Sequence, residues 1–124
     1  MSESTHLRGA RGEEEAARFL LRKGYIILQR NYRDKASRTE IDLVAQQASC
    51  VVFVEVKTGG DGAFGAPETW VDARKQKRVA QAASQYIHDN NLYGTDCRFD
   101  VIGIKVERGR YLIRHLEHAF REAT

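Results

Sequence analysis

The chain has 124 residues, enough for one domain with a single sizeable core, and its 42% hydrophobic and 30% charged content is ordinary for a water-soluble globular protein. A net charge of +3 and a pI near 9.0 tilt mildly toward a polyanionic partner, and no apolar run reaches the length of a membrane span. Cys50 and Cys97 do not form a C-x-x-C pair, so neither a zinc knuckle nor a redox motif is indicated, although a structural pairing stays open in principle. The N-terminal MSESTHLRGARGEEE has no apolar core for a signal peptide, so a reducing, cytoplasmic location is expected.

Residues 1–11 are polar and contain glycine, and are expected as a flexible arm. Residues 12–23 read as a helix, with Ala16, Ala17 and Leu20 on one face and Phe19 widening it; Gly24 ends it as a C′ residue would. Glu13 falls three and four residues before Ala16 and Ala17, on the apolar face. A carboxylate favoured by the helix dipole explains it at least as well as a functional role. Residues 25–32 (YIILQRNY) form the first predicted strand, and residues 33–38 a basic turn.

Residues 39–57, TEIDLVAQQASCVVFVEVK, read as a β-hairpin. Its second arm is apolar at nearly every position, as in a strand buried on both faces, yet it carries Glu55 and Lys57. A two-residue turn at Ala48-Ser49 pairs Gln47 with Cys50 and, counting outward, sets Asp42 opposite Glu55. Lys57 shares the face of Glu55, about 6.6 Å further along. Like charges in that arrangement repel, and two carboxylates with an ammonium beside them suggest a seat for a hard divalent cation such as Mg²⁺. A one-residue shift of register would move Asp42 to the other face. An ordinary ion-pair cluster at emerging strand ends is the plainer alternative for these three residues.

Residues 58–65 make a glycine-rich loop that lacks the G-x-x-x-x-G-K-[ST] pattern of a phosphate-binding P-loop. Pro67 suits the first turn of a helix predicted over residues 68–90, whose apolar stripe is Val79, Ala82, Ala83, Tyr86 and Ile87. Lys75 stands four residues before Val79, at the edge of that stripe and toward the sheet, whereas Arg74, Lys77 and Arg78 spread over the solvated surface. Residues 98–106 (RFDVIGIKV) form a strand, 107–110 a turn and 111–116 a last strand, with the tail from 117 expected as a short helix or frayed. His6, His88, His115 and His118 are read as surface residues. The resulting order is a helix, three strands, a long helix and two strands. The strands flanking the long helix can run parallel through a crossover, giving an α/β fold with a mixed central sheet flanked by helices.

GEEEAARFL, GYIILQRNYR, EIDLVA, VVFVEVK, FGAPE, RKQKR and RFDVI, in that order from about Gly12 to Val106, resemble the YraN-like family of bacterial endonucleases. The resemblance implies the restriction-endonuclease-like fold, with an αβββαβ core and a PD-(D/E)xK site that binds Mg²⁺ (or Mn²⁺) and cleaves phosphodiesters. It further implies that Asp42 and Glu55 are metal carboxylates, Lys57 the lysine of E-x-K, and Glu13 the first-helix glutamate brought to the metal. Lys75 matches the long-helix lysine and is expected, with Arg74 and Arg78, to contact the phosphates of a nucleic acid, DNA first. Two positions depart from the family pattern. Thr39 stands where a glycine usually precedes Glu-Ile-Asp, and Gly59 where an arginine often follows the lysine, so one phosphate contact is expected to be missing. Two rival readings stand beside the nuclease: a non-catalytic nucleic-acid-binding module of the same fold, and an interaction protein with a structural ion cluster. Cutting both strands of a duplex would suit a homodimer.

Overall fold

A computed structural model of the chain describes residues 5–59 and 70–120, with side chains from residue 11 onward. Its elements follow the order α1 (Thr5–Arg22), β1 (Ile26–Arg33), β2 (Glu40–Gln47), β3 (Cys50–Gly59), α2 (Ala73–Asp89), β4 (Cys97–Glu107) and β5 (Arg110–Phe120). The five strands form one mixed sheet in the order β1-β2-β3-β4-β5, in which only β3 and β4 run parallel. The α/β class and the αβββαβ core order are therefore as the sequence predicts.

Strand β3 is central. Val52 and Val54 join the core beneath α1, where they meet Ala16, Ala17, Leu20, Ile102 and Ile104. Val51 and Phe53 turn to the other face and join Val79, Ala82, Ala83 and Tyr86 of α2. The Tyr86 ring meets Phe53 edge-on at 5.8 Å, and Phe53 stacks on Phe99 at 5.6 Å. The apolar run is thus covered on both faces, as its lack of alternation predicts.

Several boundaries differ from expectation. Helix α1 begins at Thr5, so residues 5–11 of the expected arm are helical and residues 1–4 lie outside the described residues. It ends in a Schellman motif: Gly24 is left-handed at φ 89, and Tyr25 N donates to Leu20 O at 3.0 Å. Helix α2 starts at Ala73 rather than 68, because the Asp72 side chain caps it by accepting from Lys75 N at 2.8 Å. Pro67, the FGAPE motif and residues 60–65 of the predicted loop lie outside the described residues; Thr58 and Gly59 belong to β3. The tail is neither helical nor frayed as far as Phe120. It continues β5, with Phe120 opposite Phe99 and stacked on it at 4.7 Å.

A polar cluster explains that continuation. Asp100 is fully buried on β4 and accepts from Arg98 Nε at 3.0 Å, His115 Nε2 at 2.7 Å and His118 N at 3.1 Å. Arg98 also donates to Gln47 Oε1 at 2.7 Å and to the Tyr25 hydroxyl at 2.5 Å. Lys23 Nζ lies 2.8 Å from His115 Nδ1. An ammonium has only donors, so Nδ1 must accept and the imidazole proton sits on Nε2, facing Asp100. Burial pushes the Asp100 carboxyl upward, but His115, Arg98 and His118 together hold it below the usual carboxylate range. His115 is therefore not a surface residue: only 4% of its side chain is exposed. His88 and His118 are exposed, as expected, and the side chain of His6 lies outside the described residues. Cys50 and Cys97 are free cysteines, with no disulfide between them.

Breaking a buried ion pair from one side leaves the other charge uncompensated. Asp100→Ala is therefore expected to cost about 3–5 kcal/mol in urea unfolding; a loss under about 1 kcal/mol would show that the cluster does not hold β5. Native-state hydrogen exchange should be slowest in residues 51–56, because a strand paired on both edges opens last.

Candidate active site

The β2–β3 hairpin closes at Ala48-Ser49, with Ala48 at φ 52 and Gln47 opposite Cys50. Its antiparallel register runs to Leu43 opposite Val54 and stops there. Beyond that point β2 stays paired with β1 through Ile41 and Glu40, and β3 stays paired with β4 as far as Gly59. Asp42 and Glu55 occupy the next position on each strand, where the two part. The Asp42 carboxylate takes over the role of the lost ladder, accepting from Val56 N through Oδ2 at 2.8 Å.

Glu55 is buried at 8% exposure. Its Oε2 lies 3.5 Å from Lys75 Nζ, whereas its Oε1 is buried with no hydrogen-bond partner. Burial and then the Asp42 charge push the Glu55 carboxyl up to about 8, with Lys75 opposing. Burial likewise raises the Asp42 carboxyl, against the Val56 amide and Lys75, which favour its charge.

Helix α1 contributes from the other side. Gly12 sits so close to β3 that a Cβ there would lie 2.1 Å from Thr58 Cγ2, and this close approach seats the next residue, Glu13, against the hairpin. The Glu13 side chain is hydrogen-bonded to Asp42, and burial followed by the Asp42 charge raises its carboxyl to about 7. Burial raises both carboxyls, while the hydrogen bond between them favours a protonated Glu13 and a charged Asp42. The helix-dipole explanation of Glu13 is thereby insufficient.

Two further residues belong here that the sequence reading passed over. Asn31 adopts the left-handed conformation at φ 53, which asparagine tolerates better than most residues. In the amide orientation that satisfies both sides, its nitrogen donates to Glu40 Oε1 at 2.9 Å and to Glu13 Oε2 at 3.1 Å. Glu40 adds to the charge that raises Glu13. The signal available in the sequence was an asparagine inside a strand-forming run and the glutamate of EIDLVA.

The expected cations divide. Lys75 does project toward the sheet, but onto Glu55. Lys57 is half-buried and has no ion-pair partner among the described residues. Arg74 and Arg78 are exposed on α2 with no ion pair to any described residue, apart from the carboxylates rather than among them. Among the described residues no group of three or more His, Cys, Asp or Glu side chains is arranged to hold a metal ion, so the site offers Asp42 and Glu55 as a pair. One or two carboxylates are what Mg²⁺ commonly takes from a protein, the remaining positions going to water and phosphate oxygens.

Residues 12–104 match the family model described as "Uncharacterised protein family UPF0102". The chain is 40% identical over 127 residues to a UPF0102 protein of Chlorobium phaeobacteroides, covering 98% of each. It is 42% identical over 116 residues to one from Pelobacter propionicus, covering 93% of this chain and 83% of that one. A third, from Alkaliphilus oremlandii, is 42% identical over 114 residues, covering 90% and 96% respectively.

The raised carboxyls set a pH dependence. A carboxyl whose pKa is higher in the folded than in the unfolded chain stabilises the fold below about pH 4.5, and that stability is lost as pH rises through the folded value. Without divalent cations, the melting temperature should fall between about pH 5 and pH 8. Glu55→Gln should flatten that fall and melt higher than the wild type at pH 9, by about 4 °C per kcal/mol relieved. Equal slopes in the two proteins would show that Glu55 is not buried against Asp42.

Proposed function

The chain belongs to the uncharacterised protein family UPF0102, and we propose that it is a divalent-metal-dependent nuclease that hydrolyses phosphodiester bonds in DNA. The observation that carries this reading is Glu55: a carboxylate on the central strand, buried, next to a second carboxylate, with one oxygen left without a partner. A buried carboxylate oxygen that no hydrogen-bond donor meets is well suited to a ligand that arrives positively charged. The donor set fits Mg²⁺ or Mn²⁺, since Asp42 and Glu55 are hard oxygen donors and no His or Cys groups with them among the described residues. Bound there, such an ion acidifies a water and draws charge from a phosphoryl oxygen.

The chain's own residues supply the rest. Lys57 shares the face of Glu55 and, with no described carboxylate to neutralise it, is placed to donate to oxygens that gain charge in the transition state. Glu13, hydrogen-bonded to Asp42, can hold a water beside it. Lys75 offsets part of the repulsion between the carboxylates and an incoming phosphate. Arg74 and Arg78, exposed on the same helix, would grip the backbone without reading bases. No described helix is long and apolar enough to cross a membrane. A homodimer is the natural way to cut both strands of a duplex and belongs to the same proposal.

Mn²⁺ or Mg²⁺ should raise the wild-type melting temperature by mass action, and Asp42→Asn should abolish that shift. Lys57→Ala should keep the shift but lose about 10²–10³-fold in cleavage, because only charge developed in the transition state loses its partner. Substrates should include branched, nicked and single-stranded DNA, plain duplex, and RNA. Failure of the wild type to cut any of them with either metal, or unimpaired cleavage by Lys57→Ala, would replace the enzyme by a non-catalytic binding module.

A further inference from the structure

Along the sheet from the carboxylates, a cavity of about 450 Å³ opens between the β1–β2 turn and the C-terminal end of α2. Gln29, Arg33, Asp34, Lys35, Gln85 and Asp89 bound it. Its two carboxylates are already engaged. Asp34 accepts from the Ser37 hydroxyl at 2.6 Å and from the Ala36 and Ser37 amides at 3.3 Å each. Asp89 accepts from the Tyr32 hydroxyl at 3.2 Å and from Gln85 Nε2 at 2.7 Å.

The cations differ. Arg33 and Lys35 are exposed at the rim and have no ion pair to any described residue. The turn that carries them is held in place: Asp34 N donates to Thr39 O at 2.9 Å and Arg38 N to Asp34 O at 2.7 Å. Fixed, unpaired cations beside carboxylates that are satisfied locally attract an anion. A phosphate alone would leave most of the space empty, since a cavity of this size fits a whole small molecule. The Gln29 amide is engaged by no described residue, and Gln85 keeps a carbonyl oxygen and a second N–H beyond its bond to Asp89. Primary amides present the paired donor and acceptor that suit the edge of a nucleobase.

We infer that this cavity is a nucleotide-binding subsite: Arg33 and Lys35 take a phosphate, and the Gln29 and Gln85 amides face the base. A base that enters a cavity has to leave the duplex stack, so the ligand is an unpaired nucleotide, at an overhang, a branch or a single-stranded stretch. Arg33 lies opposite Glu40, two residues from Asp42, so the same strand reaches the carboxylates within a few nucleotides. The inference rests on the nuclease reading for its polymer, and makes unpaired DNA the substrate class.

Its test needs no cleavage. The full-length chain, isotopically labelled and kept in EDTA, is titrated by NMR with deoxynucleoside 5′-monophosphates and, separately, with inorganic phosphate. Without a cation the carboxylate site repels both probes. The nucleotides should shift the amides of residues 29–36 and 85–89 and bind more tightly than phosphate. Arg33→Ala together with Lys35→Ala should weaken both probes about tenfold. Gln85→Ala should weaken the nucleotide about three- to tenfold and leave phosphate unchanged. Equal affinity for the two probes would reduce the site to an anion contact and overturn the inference, as would shifts confined to other residues or absent altogether. Nucleotide binding in a chain that cuts no DNA would keep the subsite and discard the nuclease; cleavage without nucleotide binding would do the reverse.

Discussion

Strand β3 is hydrogen-bonded along both edges and covered on both faces, and the rest of the molecule is arranged by that burial. Water is excluded from its apolar half, so a charge placed at its far end is expensive unless something meets it. Glu55 sits at the point where β2 leaves β3. Helix α1 brings Glu13 there because Gly12 allows its backbone to approach Thr58, and α2 brings Lys75. The site is thus a consequence of two strands separating beneath two helices.

Two buried carboxylates on neighbouring strands make an instructive contrast. Asp100 is completely enclosed, yet its oxygens are filled by Arg98, His115 and a backbone amide, and its pKa is held low. Glu55 is nearly as enclosed, but one oxygen faces no donor and its pKa is raised. Burial acts against the charged form in both; the supply of donors differs, and Glu55 also faces the charge of Asp42. Asp100 is therefore a fastening between β4, β5 and the end of α1, whereas Glu55 is poised for something the folded chain does not itself provide. The same burial, differently compensated, separates structure from chemistry.

The cations follow a similar division. Arg98 is consumed by the fastening, and Lys75 by Glu55. Lys57, Arg74, Arg78, Arg33 and Lys35 are left without ion pairs to described residues, on the surfaces flanking the carboxylates.

Much of this was legible in the residues themselves. The two strand-forming runs of residues 40–57 mark the hairpin, and the two-residue turn at Ala48-Ser49 sets its register, because the length of a turn fixes which residues face each other. The glycine after α1 and the stripe from Val79 to Tyr86 placed the helices, since these signals are local. The sequence also marked Asp42, Glu55 and Lys57 as anomalous, for charges do not belong on a doubly buried strand. Only the tertiary structure decided the rest. Which cation meets Glu55, the hydrogen bond between Glu13 and Asp42, and the amide of Asn31 between Glu13 and Glu40 all depend on contacts between elements far apart in the chain. The tail reads as a short helix or a frayed end because residues 117–120 alternate too little to announce a strand. Their pairing is set by Asp100 holding His118 N and by Phe120 stacking on Phe99, partners that come together only once β4 is in place.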